Sequence, residues 1–325
     1  MTTTQEDTSR GALHRVLRWL LAPATEEVPR AQALGAAALR IFAGLLWLYN
    51  VSWKHAPDFG REAGSGLYRY TAYAVSNPVF PPYSWVIEHV VLKAFVPFAW
   101  AVLAVETALA VMLLTGAWVR LAAAIGLAQV VAITLSAVLA PNEWPWSYWM
   151  MLALHATVLV SSAGRVLAID AVRAGISSPR SLGRAWAIAA IVLGLVSVVR
   201  SLGDPFAARG EGIGVARFSF GLGDFNLLGG LVLMLAGGLL LLHARGGPAR
   251  AASAAAAVAV LCALSLYAQL GFSDPLLGGT TTSAATLLSI AVVALVASGA
   301  VPSHRHTDQH AAHPDETTAN PTTIA

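Results

Sequence analysis

Charge is scarce in this chain. Only 11% of its 325 residues are Asp, Glu, Lys or Arg, whereas 57% are hydrophobic. An ordinary soluble domain carries about 25% charge, so a soluble fold is excluded and a polytopic membrane protein is expected. Cysteine is scarcer still. The single Cys262 lies inside an apolar run, which excludes an internal disulfide, a CxxC redox pair and a cysteine metal cage. The net charge of +3 is small and scattered between apolar runs, so no nucleic-acid partner is expected; the lipid bilayer is. No P-loop, HExxH site, nucleophile motif or c-type haem site occurs, and no metal or nucleotide cofactor follows from the sequence. The first 30 residues lack the apolar core and small-residue cleavage site of a secretory signal, which predicts a retained cytoplasmic N-terminus.

What the chain does have is long apolar runs. Eight of them, near 34–53, 95–116, 119–140, 147–163, 185–203, 225–243, 251–271 and 283–301, predict an all-α fold of about eight transmembrane helices arranged as two four-helix bundles. Arginine gathers at one set of loop ends, which by the positive-inside rule places both termini in the cytoplasm of a bacterial inner membrane. The predicted organisation is a leader over 1–33, a four-helix domain over 34–173, a second over 174–302 and a disordered cytoplasmic tail over 303–325. Leu13, Val16, Leu17, Leu20 and Leu21 share one face of a leader helix suited to an anionic leaflet, with Arg10, Arg15 and Arg18 opposite; a frayed leader that only carries positive-inside charge is the alternative. Each half has one long external segment. The first (52–92) is aromatic and long enough for a binding loop; the second (203–224) is glycine-rich and reads as a flexible loop. His304, His306, His310 and His313 in the tail have no scaffold to make a metal site.

Polar residues inside the runs are the candidates for chemistry. A charged side chain at the bilayer centre costs about 2.5 to 3.5 kcal/mol on insertion scales, so Glu106 should face a partner or a cavity. At a rise of 1.5 Å per residue, Glu106, Gln129 and His155 each lie roughly 13 to 17 Å from the outer ends of their runs, which predicts one polar layer. An acid, a histidine and an amide could relay protons or hold a quinone headgroup. The competing reading is that they join helices by hydrogen bonds without turnover. At the outer mouth, Lys54, His55 and Arg61 with Trp144 and Trp146 would bind a small anion, or the tryptophans would form an interfacial belt. Arg40, Arg120, Arg165 and Asp170 gather at the opposite face, where fixing helix ends is the expected role.

Three stretches, LRIFAGLLWLYNVSWK (Leu39 to Lys54), ETALAVMLLTGAWVR (Glu106 to Arg120) and SSAGRVLAID (Ser161 to Asp170), resemble the DoxX and DoxD-like membrane family over roughly residues 34–173. The resemblance implies a four-helix membrane domain in a quinone-linked redox system, akin to the membrane subunit of a thiosulfate:quinone oxidoreductase, with a redox protein subunit as partner. Two other functions fit the sequence: a carrier for a small solute or anion, suggested by the two repeated halves, and a non-catalytic scaffold for a redox partner.

Overall fold

The structure, a computed structural model, describes residues 3–215, 218–272, 275–279 and 281–300; the expected disordered tail and its histidines lie outside the described residues. Six helices are long and apolar enough to cross a bilayer: α2 (Arg30–Ser52), α5 (Phe95–Thr115), α6 (Val119–Ala137), α9 (Pro179–Ser201), α10 (Leu227–Ala244) and α11 (Ala249–Ala268). The others are α1 (Thr3–Leu21), α3 (Gly66–Ser76), α4 (Pro81–Val86), α7 (Pro145–Val160), the short α8 (Ile169–Arg173) and α12 (Thr281–Ala297). The chain is thus a multi-pass membrane protein by length and composition.

The expected count of about eight becomes six by length. Helices α7 and α12 have 16 and 17 residues, about 24 and 26 Å, short of a hydrocarbon core of about 30 Å. Both nevertheless run between the same two ends of the bundle as their neighbours. Helix α7 starts beside Glu143, and its exit leads to Asp170. Helix α12 starts with Thr281 donating to the Val51 carbonyl near the end of α2, and finishes where the Ala297 carbonyl meets the His243 ring in the last turn of α10.

The glycine-rich segment is not a loop. It forms an antiparallel hairpin of β1 (Arg209–Val215) and β2 (Phe218–Phe225), and β2 packs on α12. The first external segment folds as α3, α4 and a single π-helical turn (Ile87–Val91) that leads toward α5. The Tyr83 hydroxyl ties this segment to α6 by donating to the Ala132 carbonyl at 3.1 Å.

Within the first half α2 packs on α5 and α7, and α6 packs on α7; within the second, α9 packs on α10 and α11 on α12. Helix α12 joins them, because it also touches α2, α5, α9 and β2. Of its 17 residues, 14 are buried. Its small residues permit this depth, and its hydroxyls are spent on nearby carbonyls: Ser289 on Ala285 at 2.9 Å, Ser283 on Asp224 at 2.7 Å and Thr286 on Leu222 at 2.6 Å.

One end of the bundle is stapled by charge. Helix α5 stops at Gly116, whose φ of 69° is a left-handed cap suited to glycine. Buried Arg40 satisfies the carbonyls left open there, donating to Leu113 at 2.9 Å and Leu114 at 3.3 Å, and it also reaches Leu167 at 3.0 Å. A side chain at Gly116 would collide with Arg40 and Ala168. Fully buried Asp170 accepts the N–H groups of Trp118 and Val119 at the start of α6, at 3.1 and 3.0 Å, and pairs with Arg173 at 2.7 Å. Arg120 pairs with Glu26 and donates to the Pro23 carbonyl, while Arg165 donates to the Thr25 carbonyl. The expected helix-end role of these residues is the geometry observed.

Candidate functional site

Lys54 lies two residues beyond α2, and its side chain turns back into the bundle. Its Nζ sits 2.5 Å from Glu106 Oε2, with both side chains buried, at 2% and 1% exposure. The contact is an ion pair rather than an aligned hydrogen bond. Nζ also donates to the Asn50 carbonyl at 2.7 Å and lies 4.0 Å from the centre of the Trp53 ring. From α6, Gln129 Nε2 donates to Glu106 Oε1 at 3.4 Å. The acid predicted to need a partner therefore has two, from α6 and from the exit of α2. Next to it, the Tyr267 hydroxyl of α11 donates to Thr107 at 3.3 Å, so the second half buttresses the same turn of α5.

His155 is buried but belongs elsewhere. Its Nε2 accepts the Trp47 indole N–H at 2.9 Å, and its Nδ1 lies 2.8 Å from the Met151 carbonyl. An indole N–H only donates and a carbonyl only accepts, so the ring is neutral with its proton on Nδ1. Both nitrogens are occupied. Among the described hydrogen bonds none joins His155 to Glu106. The three polar residues bond in two groups, Glu106 with Gln129 and Lys54, and His155 with Trp47, whose contacts on α6 at Gln129 and Gly126 are about one turn apart. Gly126 on α6 makes room for the second, since a Cβ there would strike the imidazole.

Above the first cluster opens a cleft of about 430 Å³ lined by Lys54, His55, Ser52, Gln269 and Thr281, among others. Lys54 contributes to the wall, yet its ammonium is committed to Glu106, Asn50 and Trp53. This corrects the expectation that Lys54 offers a free cation to an incoming anion. Among the described lining residues, exposed His55 is the other titratable group at the rim. Arg61, Trp144 and Trp146 do not line the cleft. Arg61 is exposed, and the two tryptophans, 66% and 57% exposed, lie 5.6 Å apart, as suits an interfacial belt. Behind them the Tyr148 hydroxyl donates to Glu143 at 2.6 Å. Partial burial, and then nearby Glu143, push the Tyr70 hydroxyl above the usual tyrosine range.

Two partners escaped the sequence reading. Lys54 stands among the mouth residues, where an ammonium is ordinary, and nothing in the sequence marks Trp47 as the partner of a buried histidine. The available signal was the place of Lys54 just past an apolar run, from which its long stem can fold back to the backbone carbonyl four residues earlier.

The architecture and this cluster define a helical multi-pass membrane protein with a paired charge buried beneath a polar cleft. No protein-family model, curated protein or solved structure matches the chain.

Proposed function

We propose that the chain is a DoxX-like membrane module of a quinone-linked redox system, with the cleft over Lys54 as the headgroup site. The observation that carries this reading is the buried Lys54–Glu106 pair under a polar cleft. A carboxylate and an ammonium in contact present no net charge to lipid, and Lys54, which lines the cleft, connects a ligand there to the proton acceptor Glu106 beneath it. Gln129 orients Glu106, and His55 stands at the rim. His155 and Trp47 act as positioning residues that hold α2 against α7.

The chemistry balances simply. Two thiosulfates join through a new S–S bond to give tetrathionate and release two electrons; the quinone takes up those electrons with two protons to become quinol. In this reading the electrons come through a redox partner subunit, and the Asp170 end of the bundle faces the cytoplasm of a bacterial inner membrane. Helices α7 and α12 cross with the other six to make eight passes.

The test is solvent extraction and mass spectrometry of gently purified protein, followed by quinol formation with thiosulfate in membranes that contain the chain. A co-purifying quinone is expected, together with loss of quinol formation in the paired Lys54→Met/Glu106→Gln variant. Absence of quinone, or unchanged turnover in that variant, would overturn the reading. The polar cleft, closed beneath by the ion pair, also favours a small-anion carrier. Uptake of thiosulfate by quinone-free proteoliposomes would select that function instead.

A further inference from the structure

Between Gly11 and Trp19 every residue of helix α1 is exposed, and only its end is held by the bundle. Trp19 lies against Arg120, whose guanidinium is 5.0 Å from the ring centre. The segment that follows is clamped: Arg173 donates to the Leu21 carbonyl at 3.0 Å, the Ala24 N–H donates to Asp170 at 3.3 Å, and the Gly164 N–H donates to the Ala24 carbonyl at 2.9 Å. At 3.6 residues per turn, Leu13, Val16, Leu17, Leu20 and Leu21 span an arc of about 140°, and Trp19 falls about 130° from its middle. The bundle therefore takes the tryptophan side and leaves the leucines bare. Leu13, Val16 and Leu17 are 61, 52 and 47% exposed.

The clamp fixes the depth of this bare face. The residues that grip the root of α1 stand at the stapled end, where α5 stops and α6 starts, and Arg30 opens α2 only nine residues after Leu21. Helix α1 thus leaves the bundle at the level where the apolar spans meet water, and its leucines meet hydrocarbon there. Charge selects the kind of surface. From Thr8 to Thr25 the sequence holds three arginines and no acid, and Arg15 and Arg18 are exposed on the side away from the leucines. A charged leaflet does not need them to touch a single headgroup, because its potential reaches about 8 to 10 Å into water, close to the width of a helix. A second copy of the chain would bring the same basic segment and no opposing charge to it. We propose that α1 is an arm for an anionic lipid surface, lying along the leaflet at the stapled end with its leucines among the acyl chains and Arg15 and Arg18 in the headgroup field. The arm is separate from the cleft over Lys54 and does not depend on the quinone reading.

Spin labels on the full chain in vesicles test the assignment. In a Cys262→Ser background, Leu17→Cys puts a label on the apolar face, and Gly11→Cys, where a side chain meets nothing within 4 Å, puts one between the two arginines. In vesicles that contain phosphatidylglycerol the first label should collide more with lipid-soluble oxygen than with a water-soluble nickel chelate, and the second label the reverse. Arg15→Gln with Arg18→Gln should lower the ratio of docked to free arm in those vesicles about thirtyfold, the factor for two arginines near an anionic surface, with thermal unfolding of the bundle unchanged. Pure phosphatidylcholine vesicles should lower the ratio for the unaltered arm in the same way. A Leu17→Cys label that stays in water over phosphatidylglycerol would overturn the proposal, as would equal docking on phosphatidylcholine. Spin–spin broadening between labels would overturn it too, by placing a second copy on the leucines.

Discussion

Lys54 and Glu106 are each expensive to bury alone and inexpensive to bury together. Removing one partner strands the other in a low-dielectric interior, a loss of about 3 to 5 kcal/mol in known buried pairs. Lys54→Met or Glu106→Ala should therefore lower the midpoint of thermal unfolding in detergent sharply, while Lys54→Met with Glu106→Gln should recover most of the loss. A double-mutant cycle on the unfolding free energy measures the coupling, and additive single effects would show that the two charges do not interact. At the opposite end Asp170 holds two amide donors of α6. Asp170→Asn should cost more than Arg173→Ala, because the arginine is partly solvated and the carboxylate is not. Urea or thermal melts of the two variants side by side would check the ranking.

Glu106 announced its need for a partner in the sequence, since an acid in an apolar run has few comfortable alternatives. The partner was hidden because depth along separate helices says nothing about which way a side chain points. Gln129 met that condition and His155 did not; Lys54 met it from outside the run, through the length of its stem.

Among the elements, the apolar runs were legible as helices and the glycine-rich segment was not legible as a hairpin. Glycine carries no strand preference to read, and the pairing of β1 with β2 rests on backbone groups. The tightest pairing of helices, α9 on α10, also depends on residues with almost no side chain. A Cβ on Gly194 would stand 2.6 Å from the Gly230 carbonyl oxygen, and one on Gly237 would stand 2.9 Å from that of Ala187. Gly194→Val should thus force the helices apart at a cost of about 1 to 3 kcal/mol. Gly238→Ala meets nothing within 4 Å and should be neutral or slightly stabilising. Protease resistance and melting temperature of the two variants in one detergent would separate a packing effect from a general intolerance of substitution. If both glycines tolerate a side chain equally, the close approach of α9 and α10 is not what stabilises them.

For the whole molecule, the runs predicted about eight spans, while six helices of the fold are long and apolar enough to reach across unaided. Whether α7 and α12 complete eight passes is open to a direct measurement. In a Cys262→Ser background, His55→Cys and Trp146→Cys should react with a membrane-impermeant maleimide from one side of sealed vesicles. Arg184→Cys and Arg250→Cys should react only from the other. Labelling of Trp146→Cys and Arg184→Cys from the same side would show that α7 turns back within the bilayer.

The helix at the middle of the bundle, α12, leaves the ribosome after the other described helices that pack around it. Every earlier span must enter the bilayer and wait beside a vacancy that only this segment fits. Quality control of the newborn chain therefore waits on this segment: a stop codon ahead of Thr281 would yield not a smaller working unit but a hollow one. Such a product should be cleared by membrane proteases at a rate that co-expression of the missing segment slows.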